Sequence, residues 1–582
     1  MSPPPSPLRR LPLATLVVAV LAAGFLYRLD GYALLDPDEG RNAEVAREMA
    51  RTGDYVIPHL NGVPYVDKPV LFFAATAALM DALGPTAFAA RLAPLLFTLL
   101  TLLAVAWFAR RLWGRGHAWT AVLATAGTPF VLAYSRTVIF DSALSLWVVL
   151  SLLGFHGAVE DDTAADPGRR SRSGDWHRAL AWGAMGLGVL TKGPIAIALP
   201  LMIAVPYAVW RRAGKRLVDP VAVLLFLAIV IPWVFAMTRA VPDFIEYALV
   251  TETAGRLATP ELGRTGPFWY FLAILPAAAL PWTVVALAGW RTVARHADGA
   301  VDRRMVFLAI WILIPLLFFT LSQSKRPQYV LPLIPAFGLA AAGIWRHSRG
   351  IFAGVRPAAA TLGVLGALLL AVRSTIPAWV AHAGPDVAGS IPRTAVALGT
   401  VCVVAAVLAW AGARHRWIAL GALCLPVAAI PAASTGLMRA IGAERSARDL
   451  ADVIAVAAGP HTEVVGVGAF PPSLPFYLRR TIVLSTTDGS EVTSNYVSRN
   501  FERLLTTPGT TLRDGSWWRE ALATCSRSRI FVARTDDEAV RGTLARDLPL
   551  LAVTRRYAAY GPCGGDLLAS RPHRVAGLAD GS

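Results

Sequence analysis

Charge is what this sequence has least of. Only 16% of its 582 residues are Asp, Glu, Lys or Arg, against 55% hydrophobic, and the mean hydropathy is +0.52. A soluble globular chain carries roughly a quarter charged residues, so composition argues against that class. Acidic residues are scarcer than basic ones, 38 against 55, for a net charge of +17. The basic residues sit in short clusters between apolar runs, which reads as membrane topology and argues against nucleic-acid binding. A nucleotide-binding glycine loop is missing. Histidine is rare, and His59 has no ligand-spaced partner, so it carries no metal role. Internal repeats are also missing, and inverted repeats are what many transporters show. Of four cysteines, Cys402 and Cys424 lie in apolar runs, where packing explains them.

What the chain has is apolar length. A membrane-crossing helix needs roughly 20 mostly apolar residues. Such runs occupy 11–28, 88–109, 118–136, 142–158, 178–191, 194–210, 218–238, 268–290, 305–322, 329–345, 354–373, 393–412 and 417–437. Pro69–Met80 is shorter and reads as interfacial. The first run follows Arg9 and Arg10 and reads as a signal anchor, with the N-terminus cytoplasmic. Alternation then places Arg110, Arg111 and Arg115, Arg211, Arg212, Lys215 and Arg216, and Arg414 and Arg416 in inside loops, as the positive-inside rule requires. Glu160–Arg178 reads as a disordered inside loop.

The expected fold is therefore mostly α: a polytopic membrane protein of about thirteen transmembrane helices. Its transmembrane domain covers 1–437, including an outside loop at 30–87. Residues 438–582 form a C-terminal α/β domain on the outer, periplasmic side, with strand-like Thr462–Val467 and Arg529–Ala533 and helical Ala443–Ala457. Cys525 and Cys563 are the two cysteines of that tail, and an oxidising compartment allows them a disulfide.

Ionisable groups close to a membrane are costly, so their positions point to function. On the outside face they gather at five places. The first loop holds Asp36, Asp38, Glu39, Arg41, Glu44, Arg47, Glu48, Asp54, Asp67 and Lys68; the others hold Asp141, Lys192, Glu246 with Glu252 and Arg256, and Lys325 with Arg326 and Tyr329. Cations suit a phosphate, and carboxylates suit sugar hydroxyls or proton transfer. Solvation of the outer rim is the plain alternative. Within the first loop, Asp38 is placed to cap a helix over Arg41–Arg51, Glu44 and Glu48 read as a solvated face, and Asn61-Gly62 marks a turn.

These residues form an extended pattern. Asp38-Glu39-Gly40-Arg41, Ala43-Glu44, Arg47-Glu48-Met49, Thr52-Gly53-Asp54 and Asn61-Gly62 precede Tyr65-Val66-Asp67-Lys68-Pro69. Then come Ala89-Ala90-Arg91-Leu92, Asp141, Leu190-Thr191-Lys192-Gly193-Pro194, Pro267-Phe268-Trp269-Tyr270 and Ser322-Gln323-Ser324-Lys325-Arg326 with Tyr329. In order and spacing this resembles the membrane GT-C glycosyltransferases, and within them the ArnT-like branch of the protein mannosyltransferase superfamily. The resemblance covers residues 30–345. It departs from the family at Asn42 (usually Tyr), Asp67 (usually Glu), Val70 (usually Pro) and Thr253 (often His).

The resemblance implies transfer of a glycosyl group from a polyprenyl phosphate, such as undecaprenyl phosphate, to an outer-face acceptor such as a lipid A phosphate, at a bacterial inner membrane. It implies Asp38 as the principal catalytic carboxylate and Asp141 as the second acid. It places Glu39, Arg41, Tyr65, Lys68, Lys192, Arg256, Lys325 and Tyr329 around the donor or acceptor. It leaves Asp67 as the candidate ligand for a divalent metal and implies no other cofactor. The partners are donor lipid, acceptor and membrane lipid. A protein or polysaccharide hydroxyl is the alternative acceptor, and a transporter or flippase of lipid-linked sugars is the rival class. The leaving lipid phosphate gains negative charge as the glycosidic bond breaks, so fixed cations lower the barrier.

Overall fold

The computed structural model describes residues 11–164, 172–248, 266–294, 301–346, 348–375 and 383–564. Two compact units emerge. One comprises Met1–Tyr32, Gly53–Ile57 and Val66–Ala440; the other joins Ala33–Thr52 and Pro58–Tyr65 to Ile441–Ser582. The first outside loop, expected to go wholly with the transmembrane domain, is thus divided, and most of its charged part goes with the C-terminal unit.

The first unit is helical, and each of the thirteen apolar runs is occupied by helix. Among the described residues eight helices are long and apolar enough to cross a membrane, or nine if one bent pair counts as a span. They include Ala87–Trp113, Asp141–Asp161, Pro220–Ala240, Arg303–Leu321 and Pro385–Ala411. Four of the five runs not among the eight have local causes. Run 118–136 is split into Ala118–Ala126 and Pro129–Ser135. Proline donates no N–H and disfavours helical backbone at the residue before it, and Pro129 opens the second piece, where its missing N–H costs no intrahelical bond. Run 268–290 is Tyr270–Ala278 and Trp282–Val293, bent by 94° just before Pro281 and Trp282. Helices Leu11–Leu26 and Ile195–Trp210 are only 16 residues each.

Two arginines finish the first helix. Arg136 donates to the carbonyls of Phe25 (2.7 Å) and Tyr27 (2.7 Å). Arg91, fully buried, donates to Leu29 and Tyr32 carbonyls and lies 3.8 Å from the Tyr32 ring centre. Carbonyls past a helix end lack intrahelical partners, and a guanidinium supplies several donors at once. The segment expected to be a disordered loop is helical at both ends, through Ala164 and from Arg172. Two of its acids are paired: Glu160 accepts from Arg211 and Tyr207, and Asp161 from Arg111.

The second unit holds a six-stranded mixed sheet. A two-residue hairpin, β1 (His59–Leu60) and β2 (Val63–Pro64), turns at Asn61-Gly62, with φ of 55° and 76°. Both turn residues need positive φ, which Asn tolerates and Gly adopts freely. The main strands are β3 (Glu463–Val467), β4 (Val483–Thr486), β5 (Leu512–Asp514), β6 (Arg529–Arg534), β7 (Leu550–Val553) and β8 (Tyr557–Cys563), in the order β5-β4-β3-β6-β8-β7. β3, β4, β5 and β6 are parallel; β8 runs antiparallel to β6 and β7. β3 and β6 are almost wholly buried, as befits strands covered on both faces. Val465, Val467, Phe531, Ala533 and Tyr560 pack with Trp518, Leu522, Leu544 and Leu548 into one core. A disulfide joins Cys525, just after helix Trp517–Thr524, to Cys563 at the end of β8, with Cα atoms 5.9 Å apart. Cys402 and Cys424 are free and buried.

Candidate active site

In the second unit, the loop motif begins a helix at Asp38 that runs to Thr52, three residues earlier than expected. Asp38 and Glu39 in its first turn suit the positive helix end, and Gly53, at φ 70°, ends it. The helix is polar by composition yet buries ten residues.

Its four acids have different surroundings. The Asp38 side chain keeps 37% of its exposure, and one carboxylate oxygen lies 2.6 Å from the Arg41 guanidinium. Glu39 is buried and accepts the Leu35 N–H at 3.1 Å. Glu44 and Glu48, expected to be solvated, are buried instead. Glu44 meets Arg47 through two 2.6 Å bonds. Burial, helped by the nearby Glu48 charge, nevertheless pushes the Glu44 carboxyl up to about 8. Glu48 accepts the N–H groups of Asn61 (2.5 Å) and Gly62 (2.9 Å), so it holds the hairpin turn. Both carboxylates are buried with donors in place, Arg47 one helical turn on for Glu44 and the hairpin amides for Glu48.

Arg41 also donates to the carbonyl and hydroxyl of Thr493 and lies 5.8 Å from the ring centre of buried Tyr65. Asp38 is thus the one acid of this helix with a large accessible surface, and its guanidinium partner is fixed from a second side.

In the first unit, Asp141 opens helix Asp141–Ala164 and is 1% exposed. Its carboxylate lies 2.5 Å from the ammonium of Lys192, the last residue of helix Arg172–Lys192. That ammonium also stands 5.2 Å from the Tyr329 ring centre, within cation–π range. Tyr329 packs against Phe319 and Phe271, and its hydroxyl is 3.3 Å from Ser324 Oγ. Lys325 donates to the Phe319 and Thr320 carbonyls at the end of helix Arg303–Leu321, 5.3 Å from the Phe271 ring centre. Two of its three N–H donors are therefore committed to a helix end.

Asp141, Lys192, Tyr329 and Lys325 thus share one neighbourhood, from helices far apart in sequence. Lys68 donates to the Asp67 carbonyl at 2.5 Å, and the Asp67 carboxylate accepts from the Tyr247 hydroxyl. Among the described residues no three His, Cys, Asp or Glu side chains gather as metal ligands, and Asp67 is committed to Tyr247. Among the described residues, Asp67 is therefore not part of a three-ligand cluster. Arg256, with Glu252 and Thr253, lies outside the described residues.

Sequence reasoning placed Asp36 among the charged residues of the first loop without giving it a site role, and it missed Tyr247 and Thr493 as partners in these neighbourhoods. Asp36 carried a signal, an acid two residues before Asp38. The others carried none.

The helical unit with an appended mixed sheet is the architecture of a GT-C membrane glycosyltransferase: the chain superposes on ArnT from Cupriavidus metallidurans bound to undecaprenyl phosphate with a TM-score of 0.82. That match covers 96% of this chain and 99% of that one at 23% identity. Residues 15–248 match the family model described as dolichyl-phosphate-mannose-protein mannosyltransferase. An undecaprenyl phosphate-alpha-4-amino-4-deoxy-L-arabinose arabinosyl transferase from Aeromonas salmonicida is 31% identical over 419 residues, 70% of this chain and 74% of that protein. The chain belongs to this ArnT-like family of membrane glycosyltransferases. The protein of the same name from Yersinia enterocolitica is 31% identical over 333 residues, and the match spans 58% of its length and 56% of this chain.

Proposed function

We propose that this protein transfers a glycosyl group from a polyprenyl-phosphate sugar to an acceptor at the outer face of a bacterial inner membrane, with a lipid A phosphate as the acceptor and inversion at the sugar. The relatives' names, which state an undecaprenyl-phosphate-linked aminoarabinose, support the donor class. The observation that carries the chemistry is the contrast on helix Asp38–Thr52: Glu39, Glu44 and Glu48 are buried and internally satisfied, while Asp38 stays accessible and paired to Arg41.

Asp38 is the group that meets the acceptor. With an acceptor phosphate, already anionic, it orients the nucleophile or balances positive charge on the sugar; with a hydroxyl it takes the proton. Lys192, Lys68 and Lys325 stabilise the departing lipid phosphate, whose charge grows as the glycosidic bond breaks. Asp141 acts through Lys192: at 1% exposure and 2.5 Å it fixes where that ammonium stands. Direct displacement is the simplest path, since neither acid of the pair Asp38 and Asp141 is an unencumbered nucleophile: one faces Arg41, the other Lys192.

The N-terminus is read as cytoplasmic and the sheet unit as periplasmic. Basic short loops support the first, and the Cys525–Cys563 disulfide supports the second, because disulfides persist in oxidising compartments. The test is purified protein incubated with a panel of undecaprenyl-phosphate sugars and lipid A, with products read by mass spectrometry. A sugar-modified lipid A phosphate is expected; no product with any donor, from folded protein, contradicts the reading.

A further inference from the structure

The segment that leads into Asp38 is held at three points by the α/β unit. The Leu34 N–H donates to the Tyr477 hydroxyl at 2.8 Å. The Asp36 N–H donates to the Arg445 carbonyl at 2.7 Å, and the Arg445 guanidinium returns a bond to the Asp36 carbonyl at 3.2 Å. The Asp36 carboxylate accepts from the Ser473 N–H (2.9 Å) with one oxygen and from the Ser473 hydroxyl (2.6 Å) with the other.

Ser473 is itself fully buried, and its oxygen accepts the Ala447 N–H at 2.9 Å. The packing is tight at the motif glycine. A Cβ on Gly40 would lie 2.1 Å from Asp36 Oδ1 and 2.7 Å from the Ser473 nitrogen. No side chain fits there, so the first turn of the Asp38 helix rests directly on the serine.

The place of this contact in the sheet is informative. The chain runs β3, β4, β5 toward one edge, then returns to lay β6 on the other side of β3. The carboxyl ends of β3 and β6 therefore flank a topological switch point, where open α/β sheets usually take their ligand. Ser473 heads the short helix that follows β3, and the group it receives is this chain's own Asp36. Resting on the assignment of Asp38 above, we propose that the α/β unit serves as the positioning scaffold of the catalytic loop, with Ser473 and Asp36 as positioning residues that set where Asp38 stands. Asp36 touches no reacting atom in this account; it fixes the backbone two residues before the one that does.

The test uses full-length protein and three variants: Ser473→Ala, Ser473→Thr and Asp38→Asn. Transfer kinetics are read beside amide hydrogen exchange of peptides covering 33–40 and, as a fold control, 557–563. Removing a buried donor to a carboxylate should speed exchange of 33–40 by about tenfold or more in Ser473→Ala. Exchange of 557–563 should be unchanged. The same variant should lose kcat by a similar factor with KM for the donor lipid unchanged, and Ser473→Thr, which keeps the hydroxyl, should restore both. Wild-type kcat in Ser473→Ala despite loosened 33–40, or unchanged exchange of 33–40, overturns the proposal. Wild-type turnover in Asp38→Asn instead overturns the reading of Asp38 on which it rests.

Discussion

Glu48→Ala isolates the contribution of one buried carboxylate. Glu48 is 1% exposed, and its two oxygens accept the N–H groups of Asn61 and Gly62. Both amides sit at the turn of the β1–β2 hairpin, with positive φ, and neither can be reached by a shorter side chain from position 48. Alanine leaves both N–H groups without Glu48, but Gly62 is exposed and its N–H turns to water, whereas the Asn61 N–H is buried. An unsatisfied buried donor costs about 1–3 kcal/mol. Each 1.4 kcal/mol is tenfold in an equilibrium, so exchange of the Asn61 amide should accelerate by about fivefold or more. The Asn61 side chain adds a second reason to watch this turn, because it exchanges two 2.8 Å hydrogen bonds with the Ile482 backbone. Loosening the turn should therefore also speed exchange at Ile482. The assay is hydrogen–deuterium exchange on the full chain, following peptides 58–65 and 480–486. Glu48→Gln keeps one acceptor oxygen and should fall between wild type and alanine. Unchanged exchange of 58–65 in Glu48→Ala would refute the idea that this carboxylate holds the hairpin.

Three further outcomes are expected. The Glu44 carboxyl is raised to about 8 from its usual 4.5, so the folded protein holds a proton that the unfolded chain releases; stability from this site is full below about 4.5 and is lost as pH rises toward 8. Glu44→Gln should flatten the fall in apparent Tm between pH 5 and 8, and an equal fall in both proteins would count against the assignment. Lys192→Ala takes the ammonium away from the buried Asp141 carboxylate, whereas the double variant Lys192→Ala/Asp141→Asn removes the buried charge as well. Thermal stability in detergent should recover in the double variant while transfer stays low; recovery of transfer would remove Lys192 from the donor site. With Cys402→Ser and Cys424→Ser in place, Cys525 and Cys563 should resist thiol labelling under denaturing conditions until reduced, and full labelling before reduction would refute the disulfide.

Local features were the legible ones. Each of the thirteen apolar runs is occupied by helix, because a spanning segment advertises itself by composition alone. The Asn61-Gly62 turn was readable, since few residue pairs tolerate two positive φ values. Strand β3 starts one residue from where alternation put it, and β6 ends one residue later. What failed was anything decided by distant partners. Glu48 looked solvated because its helix is polar, yet a turn more than ten residues away holds it; Glu44 pairs with Arg47 three residues on, and what the sequence did not show is that the packing around the helix buries that pair. The Asp36–Ser473 contact spans 437 residues and the Asn61–Ile482 contact 421, and no periodicity reports on either. The first loop was therefore assigned to the membrane domain, although most of its charged part belongs with the sheet.

The central claim, that Asp38 carries glycosyl transfer from a lipid phosphate, is tested most directly by the single-turnover rate of purified Asp38→Asn against wild type, with donor lipid in place and acceptor added. Loss of one positioned acid or base typically costs about a hundredfold or more. A drop of that size, with donor binding retained and Glu39→Gln folding and turning over better than Asp38→Asn, is the predicted result. Wild-type turnover in Asp38→Asn would contradict the account.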